Sequence, residues 1–401
     1  ALDALAKSGG AMFINKLRFT GKWNSNFDDA RNVLGWLENM YELPMDWQVV
    51  DLDRASLWDC TGRVCYLSGA GRVDFNNHHV QVLRDFIGRG GILISESEGG
   101  DGEFSLSVQR LYQKLFPTVR KQAIPSNSPL LNIKFKLSQP SQMFGLSNGV
   151  RLLAVHIPQG ISWSLEKNQY NGEDRSSFEF FGNLLIYLYP NPGRDYKPLK
   201  TAFGHNPAAC ELSDTIVRLK FKGNFDPEPY ALRYFADFIS PEAKNGIRAS
   251  YKNVTFEELD ASRNKIAILS GTGEFPPLSE NEMLKVQKYL IDGGTIIADA
   301  AGSDETFART FTSNFMGKLA KPKPFTAPQK SAELSAAYEL SAVYMDGRAA
   351  VIFSPVDIQA GLVGYSRAGL VSWGDDACKL LRDLITQAQV KTTKMSHESK
   401  K

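Results

Sequence analysis

Glu96 and Asp299 are the residues of this chain best placed to do chemistry. Each closes an apolar run that follows a glycine pair: Gly90-Gly91-Ile92-Leu93-Ile94-Ser95-Glu96 and Gly293-Gly294-Thr295-Ile296-Ile297-Ala298-Asp299. Such runs have the character of buried strands, so each carboxylate stands at a strand end. A carboxylate there, with Glu98 or Asp101 as its partner in the first run, could bind a divalent cation, orient sugar hydroxyls or act as acid and base. The same group equally suits capping of the next helix in the chain, by accepting its free amides. The acidic loops, Glu96 to Asp101 and Asp299 to Asp304, match one another.

Two more loop pairs join them as ligand-binding candidates. Gly21, Trp23 and Asn24 are matched by Gly223, Phe225 and Asp226; Ser68, Gly69 and Gly71 are matched by Ser270, Gly271 and Gly273, followed by Glu274. The Ser-Gly-x-Gly loop bares backbone amides that could hold an oxyanion or a phosphate. It lacks the Lys and the spacing of a P-loop, and no G-x-G-x-x-G occurs there. A tight turn leaving a buried strand explains the same glycines. Trp23, Trp163 and Tyr170 could stack on a sugar ring or pack at a rim.

A hydroxyl or thiol nucleophile fits poorly. There are five histidines, and none of His78, His79, His156, His205 or His397 recurs in the matching half. His156 faces Phe353 in the comparison of halves and reads as structural. Cys60, Cys65, Cys210 and Cys378 lack metal-ligand spacing. Neither a metal nor an organic cofactor is assigned.

The elements that position these residues are written twice. Leu17 to Asn24 returns as Leu219 to Asp226, 202 residues on, and Tyr66 to Gly71 returns as Ile268 to Gly273 at the same offset. A period of half the chain means tandem domains rather than a solenoid. In each half short apolar runs alternate with helical patterns, which predicts α/β architecture with a mainly parallel sheet. The expected strands are Met12 to Phe19, Trp47 to Leu52, Val64 to Ser68 and Gly91 to Ser95, then Ile216 to Phe221, Lys265 to Ser270 and Thr295 to Asp299. Helices are expected over Phe27 to Tyr41, Asn76 to Gly88 and Ser105 to Phe116, then Pro229 to Ile239 and Glu280 to Ile291. Leu152 to Pro158 matches Ala350 to Pro355, and Phe180 to Tyr187 matches Cys378 to Ile385. The expected boundaries are 1–10 for a stub of a preceding region, 11–190 and 213–390 for the domains, 191–212 for a proline-rich linker and 391–401 for a polar tail.

At 401 residues the two halves are each long enough for their own core. A formal net charge of +2 gives no electrostatic reason to expect nucleic acid. No apolar stretch approaches the roughly 18 residues of a membrane span.

Ile14 to Phe19 with Gly21 to Asn24, Trp47 to Asp53, Tyr66 to Gly69, Gly90-Gly91 and Phe116-Pro117 together resemble the bacterial family called domain of unknown function 4159. Gly223 to Pro229, Leu269 to Phe275 and Asp299 to Gly302 resemble it again, so the likeness spans about residues 11–390. It implies two flavodoxin-like, class I glutamine amidotransferase-like domains. It further implies a preceding helical repeat region similar to terpene cyclases and prenyltransferases, and a bacterial envelope or periplasmic setting. That fold places a nucleophilic Cys where Glu96 and Asp299 stand, so amidotransferase activity is not expected. The reading is a non-catalytic binding or assembly module for an unknown protein or a carbohydrate-like ligand. Its alternative is a hydrolase or lyase on a carbohydrate-like substrate that uses the strand-end carboxylates, with or without a divalent metal. Intramolecular pairing of the two halves is a further option.

Overall fold

Val64–Gly69 and Ile92–Ser97 are buried at every position, as strands covered by helices on both faces must be. In the computed structural model, which describes residues 12–56, 59–137, 142–188, 214–239, 247–325, 332–363 and 377–388, they are central to the first of two sheets. The stub at 1–10, the linker and the tail lie outside the described residues.

The described chain divides into two compact units, and each holds one seven-stranded sheet. The first has β1 (Met12–Arg18), β2 (Met45–Asp51), β3 (Val64–Gly69), β4 (Ile92–Ser97), β5 (Gln122–Ala123), β6 (Phe144–Ser147) and β7 (Leu152–Ile157). Their order is β2-β1-β3-β4-β7-β6-β5. Pairing is parallel from β2 through β7 and antiparallel for β6 and β5. The second unit has β8 (Asp214–Leu219), β9 (Ile247–Val254), β10 (Ile266–Gly271), β11 (Thr295–Ala300), β12 (Lys323–Pro324), β13 (Ser341–Met345) and β14 (Arg348–Ser354). Its order, β9-β8-β10-β11-β14-β13-β12, is the same path. The α/β reading with two mostly parallel sheets therefore holds. Strand β9 and the antiparallel edges were not foreseen.

Helices cover both faces. In the first unit they are α1 (Asp29–Tyr41), α2 (Asn77–Gly88), α3 (Gly102–Leu115), α4 (Ser162–Glu166) and α5 (Arg175–Leu188). The second unit has α6 (Ala231–Ile239), α7 (Glu280–Ile291), α8 (Glu305–Phe311), α9 (Ile358–Leu362) and a helix over 377–388. In α1, Val33, Leu34 and Leu37 make the buried stripe. Helix α1 starts two residues later than its pattern predicted, and Phe27 is 67% exposed. Asn76 caps α2 by accepting the His79 amide at 3.0 Å. Among the described residues no helix is long and apolar enough to cross a membrane.

The pleat sends alternate residues to opposite faces. Ile14, Val64 and Ile94 pack with α1 and α5, whereas Cys65, Leu67 and Leu93 pack with α2 and α3. On the α2/α3 face the two units differ in chemistry. Ser95 pairs across to His156, and its hydroxyl lies 2.9 Å from His156 Nδ1 and 2.9 Å from the Tyr112 hydroxyl. Ser105 meets His156 Nε2 at 3.0 Å and Ser97 at 2.7 Å. In the second unit Ala298 pairs with Phe353 at that place. Ala300, Ala308 and Phe315 replace Ser97, Ser105 and Tyr112, and Phe353 packs 4.9 Å from Phe311. One unit fills this pocket with a satisfied hydrogen-bond network, the other with rings; half of either would leave buried hydroxyls unpaired.

His156→Phe alone should therefore lower stability by about 1–3 kcal/mol. Adding Ser95→Ala, Ser97→Ala, Ser105→Ala and Tyr112→Phe should restore most of that loss. Urea denaturation of the single and fivefold variants checks it, and strictly additive losses would refute the coupling.

Candidate functional site

Lys16 of β1, Tyr66 and Ser68 of β3 and Glu96 of β4 share the α1/α5 face, two or four places along from Ile14, Val64 and Ile94. All four are buried. Register sets Ser68 directly beside Glu96. The Ser68 hydroxyl contacts Glu96 Oε1 and lies 3.0 Å from Glu98 Oε1, which also accepts the Ser25 amide at 3.2 Å. One hydroxyl carries one proton and cannot donate to both acids. Burial pushes the Glu96 carboxyl up to about 7, against the hydrogen bonds from Ser68, the Ile161 amide and Ser162.

The other oxygen of Glu96 accepts the Ile161 amide at 3.0 Å, at the entrance of α4. Lys16 Nζ sits 2.5 Å from Asp29 Oδ1 and donates to the Asn26 carbonyl at 2.8 Å. Asn26 in turn donates to Ser162 at 2.8 Å. Burial raises the Asp29 carboxyl and the Lys16 charge opposes it.

The second unit repeats the scheme with different lengths of side chain. Arg218 takes the place of Lys16 and pairs with Asp226. Ser270 lies beside Asp299 in register. Asp299 Oδ2 accepts the amides of Ile358 at 2.9 Å and Gln359 at 3.3 Å. Asp357 caps the same helix, α9, through the Ala360 amide at 2.8 Å and also accepts the Gly302 amide at 2.5 Å. Burial and the neighbouring Asp357 push Asp299 well up, and burial lifts Asp357 to about 6.

Sequence reasoning offered helix capping for these carboxylates and pointed to the next helix in the chain. The capped helix is instead the one after β7 or β14. The next helices, α3 and α8, are capped by Asp101 through Phe104 (2.8 Å) and by Asp304 through Phe307 (2.7 Å). The Phe104 amide holds the Asp101 carboxyl below its ordinary value.

The remaining candidates are spread out. Gly69 and Gly271 lie under aromatic pairs, since an added Cβ would stand 2.7 Å from Phe19 and 2.6 Å from Phe104, or 2.5 Å from Phe221 and 2.7 Å from Phe307. Gly71 and Gly273 turn with φ of +75° and +76°. The amides of Ala70 and Thr272 are bonded to the carbonyls of Lys22 and Asn224 at 3.0 and 3.2 Å. These bonds tie the Gly21 and Gly223 loops to the Ser-Gly-x-Gly turns, which work here as structural corners. Trp23 packs half-buried against the α2/α3 core, Asn24 is half-buried, and Glu274 is exposed.

Sequence reasoning missed Lys16, Arg218, Asp29, Glu228 and Asp357, all buried. A signal existed for the first two: each places a cation on the core face of a strand, at positions 202 residues apart. Among the described residues no group of three or more His, Cys, Asp and Glu is disposed to hold a metal ion.

The family described as domain of unknown function (DUF4159) matches residues 13–179 and again 215–346. The chain belongs to this family, in two tandem copies. No curated protein matches the DUF4159 chain. Among solved structures it is similar to a protein assigned as a phosphosugar isomerase from Silicibacter pomeroyi DSS-3 (12% identity, 74% of this chain and 77% of that chain, TM-score 0.18). It is also similar to one assigned as a sugar binding protein from Salmonella typhimurium LT2 (11%, 74% and 79%, TM-score 0.21). A third is the C-terminal domain of glucosamine-fructose-6-phosphate aminotransferase from Francisella tularensis (11%, 94% and 84%, TM-score 0.18). Scores this low carry no functional inference.

Because folding favours protonated Glu96, its stabilising contribution is full below pH 4.5 and is lost as pH rises through about 7. His156, pushed down to about 4 by burial and by the Lys121 charge, works oppositely: its contribution is full above pH 6.5 and is lost as pH falls through 4. Between about pH 5 and about pH 6.5 the two largely offset. Glu96→Gln should therefore add a rise of stability with pH, relative to wild type, of about 1.4 kcal/mol per pH unit. Denaturant melts at both ends of that window check it; parallel curves would mean that Glu96 titrates normally.

Proposed function

We propose that both DUF4159 copies are non-catalytic binding or assembly modules. One observation carries the reading: the strand-end carboxylates are shut from solvent, with Glu96 0% and Asp299 2% exposed, and their oxygens are engaged by backbone amides at the entrances of α4 and α9. A general acid or base must come within hydrogen-bond reach of a substrate proton, and here that reach is taken up by the fold.

The amidotransferase-like relationship implied by the family likeness supports the same view. Its nucleophilic thiol would stand where Glu96 and Asp299 are, and the described cysteines Cys60, Cys65 and Cys378 are buried. The hydrolase alternative draws on Glu96, whose carboxyl keeps a proton near neutral pH beside Glu98. Against it weighs the tie of Asp101 to the Phe104 amide, which leaves that residue to its helix.

A panel of 4-nitrophenyl glycosides separates the two at neutral pH. The module reading expects no turnover above that of the Glu96→Gln, Asp299→Asn double variant. Turnover that disappears in the double variant, with its melting unchanged, would make the protein an enzyme.

A further inference from the structure

A groove of about 720 Å³ runs along α1 in the first unit, between the start of β2 and the segment around Asn168 and Tyr170. This volume lies within the range for small-ligand sites, roughly 300–1,000 Å³. Its walls are the rings of Trp36, Trp47 and Tyr170. Gly35 is exceptional there. It sits in mid-helix, where glycine is unfavourable by about 1 kcal/mol against alanine, yet a Cβ would meet nothing within 4 Å. No neighbour forces a glycine at that place; its effect is to keep the groove floor open.

The aromatic wall is fixed in advance. Tyr170 lies 5.0 Å from Trp36, its hydroxyl donates to Glu179 at 3.1 Å, and the Arg175 guanidinium lies over its ring at 5.2 Å. Trp36 is braced in turn by Phe178 at 5.7 Å. Rigid walls spare a ligand the cost of ordering them. Around the rings stand groups of mixed hydrogen-bonding type: Arg31 donates, Asn39 and Asn168 donate and accept, and Glu38 and Asp46 accept through the oxygens not used by the Met45 and Trp47 amides, each held at 2.8 Å.

We propose that this groove binds a short neutral oligosaccharide. A sugar ring offers an apolar C–H face for the aromatic side chains and an edge of hydroxyls that both donate and accept, which suits this lining. A proline-rich peptide offers carbonyl acceptors, which Arg31, Asn39 and Asn168 could meet, but it gives Glu38 and Asp46 no donor to accept from. The proposal rests on the module reading for its sense, but its site is separate from the strand ends.

The test is titration of the whole chain with cellotetraose, tetra-N-acetylchitotetraose and maltotetraose, followed by calorimetry and tryptophan fluorescence. At least one should bind and perturb the fluorescence. Gly35→Phe, which fills the groove, should weaken binding at least tenfold; Trp47→Ala should do likewise. Trp163→Ala, which removes an exposed ring outside the groove, should change nothing. Gly35→Ala should melt no lower than wild type, which keeps a folding defect apart from a blocked site. No binding of any of the three sugars, binding indifferent to Gly35→Phe, or binding of decaproline in their place would overturn the proposal. None of these outcomes touches the glycoside assay that decides whether the strand-end acids are catalytic.

Discussion

A buried carboxylate that bonds the entrance of a distant helix holds each unit together at its strand ends. Glu96 and Asp299 join the penultimate position of a central strand to backbone amides beyond the neighbouring strand, across about 60 residues of chain. A helix start leaves amides that the helix itself cannot satisfy, and the carboxyl end of a parallel sheet is where such starts gather. Glu96, one methylene longer, reaches a single amide and leans on Ser68 and Ser162. Asp299, the shorter acid, takes two amides and leaves the third to Asp357. Different side chains thus meet the same demand, which explains why acid rather than glutamate is the repeated feature.

Burying these acids is costly, and the surrounding charges show how each unit manages it. In the first unit Lys16 pairs with Asp29, and burial favours the neutral form of Glu96 by pushing its carboxyl up to about 7. In the second, Arg218 pairs with Asp226, while burial and the neighbouring Asp357 push the Asp299 carboxyl well up, toward its neutral form. Removing one partner of such a buried pair strands the other charge, at a cost of about 3–5 kcal/mol. The opposite sheet face carries no such burden. There one unit keeps a Ser-His-Tyr network and the other replaces it with rings, so the two faces have diverged to different degrees.

Much of this was legible in the sequence because it rests on period. Strand and helix alternation, the half-chain repeat and the matched acids after Gly90-Gly91 and Gly293-Gly294 all leave regular marks. The edge strands leave none: Gln122–Ala123 and Lys323–Pro324 are two-residue, exposed pairings with no alternation to read. The partners of the acids were hidden for a different reason. Asp29 and Asp357 are ordinary helix-start residues in sequence, and only the packing of α1 and α9 against the strand ends makes them part of a buried cluster. Capping was foreseen as an option for Glu96, but its helix was misplaced, because the fold brings α4 beside β4 through the parallel pairing of β4 with β7.

Closing the strand ends has a consequence for where a ligand can be held. The carboxylates and the Ser-Gly-x-Gly turns are engaged in structure, whereas the groove proposed above lies along an outer helix. Here the copies part company. Ala231 begins α6 as Asp29 begins α1, so Gly35 and Trp36 correspond to Asp237 and Phe238. The glycine that opens the groove floor belongs to the first copy alone, and so does the tryptophan beside it. The same strand-end acid is bonded to backbone amides in both sheets, whereas the glycine and tryptophan that line the groove of the first unit stand opposite an aspartate and a phenylalanine in the second copy's sequence.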